Sequence, residues 1–224
     1  MVTITALEIA GYGSKPVPNR FFRQEQAATR LGLVFPGLGY NCDMPLLYYP
    51  TKLLLARGAD VLQLRPDYAT PEFQSLPGEE RARRAGADAS AALHAGLAQR
   101  HYRQIVLVGK SIGTLAIAQL VSTEARLADA VTIWLTPVFR GRQVVEAAAR
   151  FQGPALFVAG TADSLFDADA MSRLREATRT ETLVVEGADH SMEISGDLLR
   201  SVGVLDQVVR AVAGFFDRYG PRVD

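Results

Sequence analysis

The chain has 224 residues, 48% of them hydrophobic and 21% charged, which is enough for one well-filled hydrophobic core. Lysine plus arginine equals aspartate plus glutamate at 24 each, so the chain lacks the basic excess that nucleic-acid binding requires. No apolar run could span a bilayer, the first residues lack a secretory pattern, and the lone cysteine, Cys42, excludes an intrachain disulfide. We therefore expect a single cytoplasmic domain over residues 1–224, with no nucleic-acid or membrane partner.

The first two segments, TITALEIAG and PVPNRFFRQ, alternate partly between apolar and polar residues around the turn-rich GYGSKP. This pattern predicts an antiparallel pair of strands at a sheet edge. From residue 30 onward, apolar runs typical of buried strands alternate with helical stretches. In chain order these are the strand RLGLVFPG, the helix MPLLYYPTKLLLARGA, the strand ADVLQLRPDY, a helix over about 78–100, the strand RQIVLVG, the helix SIGTLAIAQLVSTEARL, the strand DAVTIWLTP, a helix near 143–151, the strand PALFVAGTAD, a helix near 167–178, the strand ETLVVEG and a helix from about 200 to 218.

Buried strands that alternate with helices indicate βαβ units. We therefore predict an α/β fold with a mostly parallel sheet of about eight strands and helices on both faces. In such sheets ligands bind beyond the carboxyl ends of the strands. Catalytic side chains are therefore expected at strand ends, and residues elsewhere are weaker candidates.

The stretch VGKSIGT at 108–114 follows a predicted strand and places Ser111 between Gly109 and Gly113. Two interpretations are open: the hydroxyl attacks a substrate, or it caps the helix that follows. Small neighbours at a tight strand-to-helix turn give the clearance that a nucleophilic serine needs. A serine is a weak nucleophile at neutral pH, so the first interpretation requires a histidine as base and a carboxylate to orient it.

One of the three histidines is predicted at the carboxyl edge of the sheet. His190 follows the last strand, whereas His94 lies within a helix and His101 precedes a strand. Asp163 closes PALFVAGTAD at the same edge and is the predicted acid. Asp167, four residues later, is the alternative acid because the conformation of a loop is not visible in a sequence.

The oxyanion that forms on an attacked carbonyl needs N–H donors. The amide of Ile112 follows Ser111 directly, at a helix N-terminus whose dipole favours negative charge. A second donor is expected from the loop PGLGY at 36–40. Pro36 has no N–H, so we assign this donor to Leu38.

Four motifs together resemble the α/β-hydrolase superfamily: FPGLGY at 35–40, GKSIG at 109–113, GTAD at 160–163 and GADH at 187–190. The resemblance extends from about residue 30 to the C-terminus and implies the α/β-hydrolase fold, a three-layer sandwich. It implies Ser111 as nucleophile, Asp163 as acid and His190 as base, in the chain order of that superfamily. The chain departs from many members in carrying Pro-Gly in place of His-Gly in the oxyanion loop and a lysine before the nucleophile.

Many members of the superfamily insert a lid after the sixth sheet strand of the shared core. Here only residues 138–153 separate two predicted strands, so we predict no substantial lid and an open site. Lys110 could approach an anionic leaving group or point into solvent. The other side chains expected to contact substrate are Tyr40, Asn41, Tyr68, Phe139, Phe166 and Met192.

The helix over about 78–100 carries RARR at 81–84, after Glu79 and Glu80. We interpret this run as a solvent-exposed face, with the acids near the positive end of the helix dipole. No phosphate-binding loop, dinucleotide fingerprint or metal-ligand spacing is present. We therefore expect no cofactor and no metal.

Together these features predict a carboxylesterase-like serine hydrolase that cleaves an ester, thioester or related acyl bond of a small molecule through an acyl-enzyme intermediate. A non-catalytic protein of the same fold that binds a ligand or partner is one alternative. An acyltransferase or amidase with the same triad is another. A Cys42 nucleophile is a weaker alternative, because Cys42 follows the oxyanion loop and does not lie on the serine turn. The oligomeric state is not predicted.

Overall fold

A computed structural model of the protein describes residues 1–140 and 142–220. Positions 141 and 221–224 of the predicted domain lie outside the described residues. Within those residues, eight strands form one sheet in the order β1-β2-β4-β3-β5-β6-β7-β8. The strands are β1 (Val2–Thr5), β2 (Asn19–Gln24), β3 (Arg30–Phe35), β4 (Asp60–Leu64), β5 (Gln104–Lys110), β6 (Val131–Leu135), β7 (Ala155–Gly160) and β8 (Thr180–Val185).

Seven α-helices and two short 3₁₀ helices connect or flank the strands in this part of the chain. The α-helices are α1 (Pro45–Ala56), α2 (Pro71–Gln74), α3 (Gly78–Leu97), α4 (Ile112–Thr123), α5 (Gln143–Arg150), α6 (Ala168–Arg175) and α7 (Leu198–Tyr219); the 3₁₀ helices are Tyr12–Ser14 and Ala125–Leu127. None of the helices of residues 1–140 and 142–220 is both long and apolar enough to cross a membrane.

Six strands of the sheet, from β4 through β3 to β8, are parallel, and β1 and β2 add an antiparallel edge. The predicted edge pair and the predicted parallel sheet are therefore confirmed. Strand β1 is shorter than its segment, because the Asn19 side chain bonds both the N–H and the carbonyl of Leu7 at 2.9 and 2.8 Å. Strand β4 ends before Pro66, which has no N–H to donate to a sheet.

Both faces of the sheet are covered, as the largely apolar central strands predict. Helices α1 and α7 pack on one face, where Phe215 and Phe216 are fully buried. Helices α3 to α6 pack on the other face, where the rings of Trp134 and Phe157 stack with centroids 5.2 Å apart. This arrangement leaves the carboxyl ends of the parallel strands free to hold functional side chains.

Helix α2 is the one described helix of four or more residues that the sequence patterns did not predict. Pro71 starts it, and the side chain of Thr70 caps it by accepting a hydrogen bond from the N–H of Phe73 at 3.3 Å. Four residues are too few to show a helical period, and for this reason the pattern was not visible.

Candidate active site

Ser111 lies on a sharp turn between β5 and α4, at the carboxyl edge of the sheet. Its φ of 54° is unusual for a residue with a side chain and marks a strained turn. Its N–H donates to the carbonyl of Leu135 at 2.9 Å, which ties the turn to β6. The Ser111 side chain makes no capping hydrogen bond to α4, so the structure contradicts the capping interpretation.

Two glycines are required by the close packing around this turn. A Cβ on Gly109 would lie 2.5 Å from the carbonyl oxygen of Gly113. A Cβ on Gly113 would lie 2.5 Å from the carbonyl oxygen of Phe35 at the end of β3. Such distances are far below van der Waals contact with backbone atoms that cannot yield. The glycines therefore allow α4 to start directly against β5 and β3.

Ser111, His190 and Asp163 form a continuous chain of hydrogen bonds. Ser111 Oγ lies 2.8 Å from His190 Nε2, and His190 Nδ1 lies 2.7 Å from Asp163 Oδ2. A neutral imidazole with its proton on Nδ1 satisfies both contacts, since it donates to Asp163 and accepts from the serine hydroxyl. The Asp163 side chain is 2% exposed and that of His190 is 34% exposed, so the carboxylate is buried and the imidazole is partly accessible to solvent.

The loops that carry Asp163 and His190 are held against each other by backbone contacts. The N–H of Ala162 donates to the carbonyl of Ala188 at 2.9 Å, and the N–H of Gly187 donates to Thr161 Oγ1 at 2.8 Å. A Cβ on Gly160 would lie 2.1 Å from the same Ala188 oxygen. The glycine of the GTAD motif is therefore needed to bring the acid and the base together.

The alternative acid, Asp167, does not contact His190. Its side chain caps α6 by accepting a hydrogen bond from the N–H of Ala170 at 2.8 Å. Asp189 also has a structural contact, because its Oδ1 accepts from the N–H groups of Ser191 and Glu193 at 2.8 and 3.0 Å. Asp163 is thus the carboxylate that the structure brings to the histidine.

The oxyanion loop, residues 36–40, forms a tight turn above the end of β3. Gly37 and Tyr40 exchange backbone hydrogen bonds of 2.8 and 3.4 Å, and Gly39 between them has a φ of 65°. The N–H of Leu38 has no hydrogen-bond partner within residues 1–140 and 142–220. Ile112 starts α4, and both residues line the groove that holds Ser111. Two N–H groups at these positions can stabilise an oxyanion.

A groove of about 520 Å³ opens over Ser111, and we call it the substrate groove. Its lining combines apolar residues with two arginines and one glutamate. Besides Ser111, its lining residues are Leu38, Gly78, Glu79, Arg81, Ile112, Leu115, Val138, Arg140, Gln143 and Leu165.

Three residues predicted to contact substrate lie next to a different cavity. Tyr40, Asn41 and Tyr68 border a cavity of about 280 Å³ beside the oxyanion loop and do not line the substrate groove. Tyr68 is 5% exposed and packs on the ring of Phe73 at 4.5 Å, and Asn41 Oδ1 accepts from the N–H of Asp43 at 2.9 Å. The structure therefore differs from the prediction here, because these side chains border a cavity that does not include Ser111.

The other three predicted contacts pack into the protein interior. Phe139 and Met192 are 6% and 2% exposed and belong to the hydrophobic core, and Phe166 packs against it. None of the three lines the substrate groove. Large apolar side chains near strand ends bury more surface in the core than in an open groove, and the sequence does not show which direction they take.

Lys110 is buried, with 2% exposure, so the expectation that it points into solvent is wrong. It does not line the substrate groove, and so the structure also places it away from a leaving group there. Burial lowers the pKa of Lys110 to about 8, and the nearby carboxylates of Asp163 and Asp189 oppose this shift.

The charged run at the start of α3 is only partly solvent-exposed. Arg83 is exposed and pairs with Glu80, but the Nε of Arg81 is buried without an acceptor and the residue lines the substrate groove. The sequence did contain a pattern that indicates the direction of Arg81. Helical spacing places Arg81 on the same side of α3 as Ala85 and Ala89, which are buried. An arginine on the buried side of a helix can contact a ligand.

Cys42 is fully buried, and its thiol donates to the carbonyl of Leu64 at 3.2 Å. Burial raises the pKa of this thiol to about 12, so it is not a thiolate near neutral pH. The structure thus contradicts the alternative of a cysteine nucleophile. Among residues 1–140 and 142–220, no cluster of three or more His, Cys, Asp or Glu side chains is placed to hold a metal ion.

Several solved structures share this fold at low sequence identity. The esterase Pf2001 from Pyrococcus furiosus is 13% identical with a TM-score of 0.74, over 98% of this chain and 93% of that chain. XC6422 from Xanthomonas campestris, described as a serine hydrolase without a lid, is 17% identical with a TM-score of 0.71, over 99% and 97%. Est1E from Butyrivibrio proteoclasticus, solved with ferulic acid, is 12% identical with a TM-score of 0.72, over 94% and 98%.

No curated protein sequence gives a significant match to the chain. The sequence model of the Dienelactone hydrolase family, however, matches residues 38–193, a segment that includes Ser111, Asp163 and His190. This segment is more than half of the 224 residues. The chain therefore belongs to the dienelactone hydrolase family and is a hydrolase with the α/β-hydrolase fold.

Proposed function

We propose that the protein is a serine hydrolase that cleaves an ester or thioester of a small-molecule acyl substrate through an acyl-enzyme intermediate. The observation that carries this proposal is the hydrogen-bond chain from Ser111 Oγ through His190 to Asp163, with distances of 2.8 and 2.7 Å, in which Ser111 lines the substrate groove. A hydroxyl held against a neutral imidazole is ready to lose its proton as it attacks.

In the first half of the reaction, Ser111 Oγ attacks the carbonyl carbon and its proton moves to His190 Nε2. The Asp163 carboxylate stabilises the imidazolium that forms. The carbonyl oxygen becomes an oxyanion, which the N–H groups of Leu38 and Ile112 stabilise. When the tetrahedral intermediate collapses, the bond to the leaving oxygen or sulfur breaks and His190 returns its proton to that atom.

In the second half, water replaces the leaving group. His190 Nε2 takes a proton from the water as its oxygen attacks the acyl carbon, and the same two N–H groups stabilise the second oxyanion. The bond to Ser111 Oγ then breaks, the serine recovers its proton from His190, and the carboxylic acid product leaves. Each proton therefore passes through one nitrogen atom of one histidine.

The direct test is covalent labelling of the wild-type protein. We expect turnover of p-nitrophenyl acetate and a mass increase of one fluorophosphonate adduct per chain, which peptide mapping places on Ser111. Heat-unfolded protein serves as the control and should not react, because the probe needs the activated serine. Wild-type protein that neither reacts with the probe nor turns over the ester would contradict the proposal.

The charges of the substrate groove predict a preference for acyl chains with a distal carboxylate. Arg81 and Arg140 line the groove, and within the described residues the buried Nε of Arg81 has no acceptor. We expect the kcat/KM for monomethyl adipate to exceed that for methyl hexanoate by roughly tenfold, the effect of one charge-assisted hydrogen bond. The Arg81→Met variant should lose this ratio.

The matched control is Arg83→Met, because Arg83 lies on the same helix but is exposed, pairs with Glu80 and does not line the substrate groove. We expect this variant to keep the wild-type ratio. Titration of the released carboxylic acid in a pH-stat gives both rates. Equal ratios for wild type and Arg81→Met would show that the arginine does not bind the distal carboxylate.

A further inference from the structure

Lys110 is a buried charged residue that the proposed chemistry does not use. It is the last residue of β5, directly before Ser111, and its side chain lies on the sheet face covered by α1 and α7. It is 2% exposed, so its ammonium is largely removed from water. Burying an ammonium in this way is costly, so a compensating contact is expected.

That contact is the aromatic ring of Tyr40. Lys110 Nζ lies over the ring, 4.7 Å from its centroid, which is the geometry of a cation–π interaction. Tyr40 closes the oxyanion loop through its two backbone hydrogen bonds with Gly37, of 2.8 and 3.4 Å. Its hydroxyl accepts a hydrogen bond from the N–H of Leu46 in α1 at 2.9 Å. The ring is thus held between α1 and the ammonium.

The aliphatic part of Lys110 lies directly against the same loop. A Cβ on Gly37 would be 3.0 Å from Lys110 Cδ, 3.2 Å from Tyr40 Cβ and 3.3 Å from the Lys110 carbonyl oxygen. The lysine therefore touches both ends of the turn, Gly37 and Tyr40. Leu38, the proposed oxyanion donor, lies between these two ends.

We propose that Lys110 is a positioning residue that holds the oxyanion loop in its catalytic conformation through the ring of Tyr40. Because Lys110 adjoins Ser111 in the chain, one residue then sets the position of the Leu38 N–H relative to the nucleophile. This inference rests on the proposed function, since an oxyanion donor matters only if Ser111 attacks a carbonyl. Small displacements of such a donor reduce stabilisation of the transition state without a comparable effect on substrate binding.

The charge of Lys110 also makes the loop sensitive to pH. Three titratable groups lie around the ammonium: Asp163 after β7, Asp189 after β8 and the phenol of Tyr40. Burial raises the pKa of the Tyr40 phenol to about 12, and the nearby carboxylate of Glu193 adds to this shift. Burial outweighs the two aspartates and lowers the Lys110 pKa to about 8. Above that pH the ammonium is lost, the cation–π attraction disappears, and kcat falls.

Stability has the opposite dependence on pH. The unfolded chain keeps this proton up to a pKa of 10.5, whereas the folded chain releases it at about 8. Between these values the unfolded state binds more protons, so the fold gains stability as the pH rises. As the pH rises above about 8, kcat is therefore expected to fall while the free energy of unfolding increases. This combination distinguishes positioning of the loop from a general structural role, in which activity and stability would fall together.

The test compares the wild type with Lys110→Met, which keeps the length of the side chain and removes the charge. At neutral pH we expect a roughly tenfold lower kcat, smaller than the roughly hundredfold effect of removing a donor. We expect a KM within about twofold, an unchanged or higher Tm, and loss of the decrease in kcat centred near pH 8 in the wild type. Lys52→Met is the matched control, because Lys52 is exposed and its Nζ lies 6.0 Å from the Tyr48 ring centroid.

A double-mutant cycle with Tyr40→Leu identifies the route of the effect. If Lys110 acts through the ring, the double variant loses no more activity than the more impaired single variant. The inference is overturned by any of four results: a wild-type kcat in Lys110→Met, a higher KM with unchanged kcat, an alkaline decrease that persists, or additive losses in the double variant. In each case an active wild type leaves the proposed function intact, whereas an inactive wild type rejects both.

Discussion

The Ser111→Ala variant is expected to lose at least about 10⁴-fold in kcat/KM for p-nitrophenyl acetate, because the reaction loses its nucleophile. The fold should be retained. Alanine has the same backbone requirement at a φ of 54°, and the side chain contributes one hydrogen bond, to His190, worth about 1 kcal/mol. Initial rates, together with thermal unfolding, measure both expectations.

A suitable control for this variant is Ser122→Ala, since Ser122 is exposed on α4, the helix that follows Ser111. We expect it to keep the wild-type rate. The fluorophosphonate adduct should form on Ser122→Ala and be absent from Ser111→Ala. If Ser111→Ala retained more than a few per cent of the activity, another group would be the nucleophile and the proposed mechanism would have to be abandoned.

The second large effect is expected for Asp163→Asn, with a kcat lower by about 10⁴-fold. The asparagine amide cannot replace the carboxylate that accepts the Nδ1 proton at 2.7 Å. It favours the other tautomer, in which Nε2 carries the proton and cannot accept one from Ser111. The amide is also neutral, so it does not stabilise the imidazolium that forms in the transition state.

The Asp167→Asn variant tests whether Asp163 or the alternative, Asp167, is the acid that acts on His190. Asp167 caps α6, and asparagine is an equally good capping residue, so this variant should keep kcat within about twofold and nearly unchanged stability. Steady-state kinetics of both variants under the same conditions give the comparison. A larger loss in Asp167→Asn than in Asp163→Asn would reverse the assignment of the acid.

Most of the fold could be predicted from local patterns. The residues of β6 and β7 are buried along their whole length, and such strands appear as nearly continuous apolar runs. The predicted ends of the strands were less accurate, because a strand end depends on single contacts. One example is the Asn19 side chain, which replaces sheet pairing at Leu7. Helix α2 was missed because it is shorter than one period of the pattern that identifies helices.

The candidate site was predictable where residue type and strand position were enough. The carboxyl ends of parallel strands meet at one edge, so Ser111, His190 and Asp163 could be placed near each other without knowledge of the loops. The sequence favoured Asp163 but left Asp167 open as an alternative, because the conformation of a loop is not visible in a sequence. In the structure the choice follows from a hydrogen bond to His190 for Asp163 and a helix cap for Asp167.

The sequence by itself therefore determined the class of fold and the set of reactive groups, since both depend on patterns along the chain and on the common direction of the strands. Only the tertiary structure decided which side chains form the substrate groove and where the lysine before the nucleophile lies. Arg81 faces the groove and Lys110 lies under the oxyanion loop. The physical reason is that the direction of a side chain depends on helix rotation and on loop packing, which are set by contacts between residues distant in the sequence.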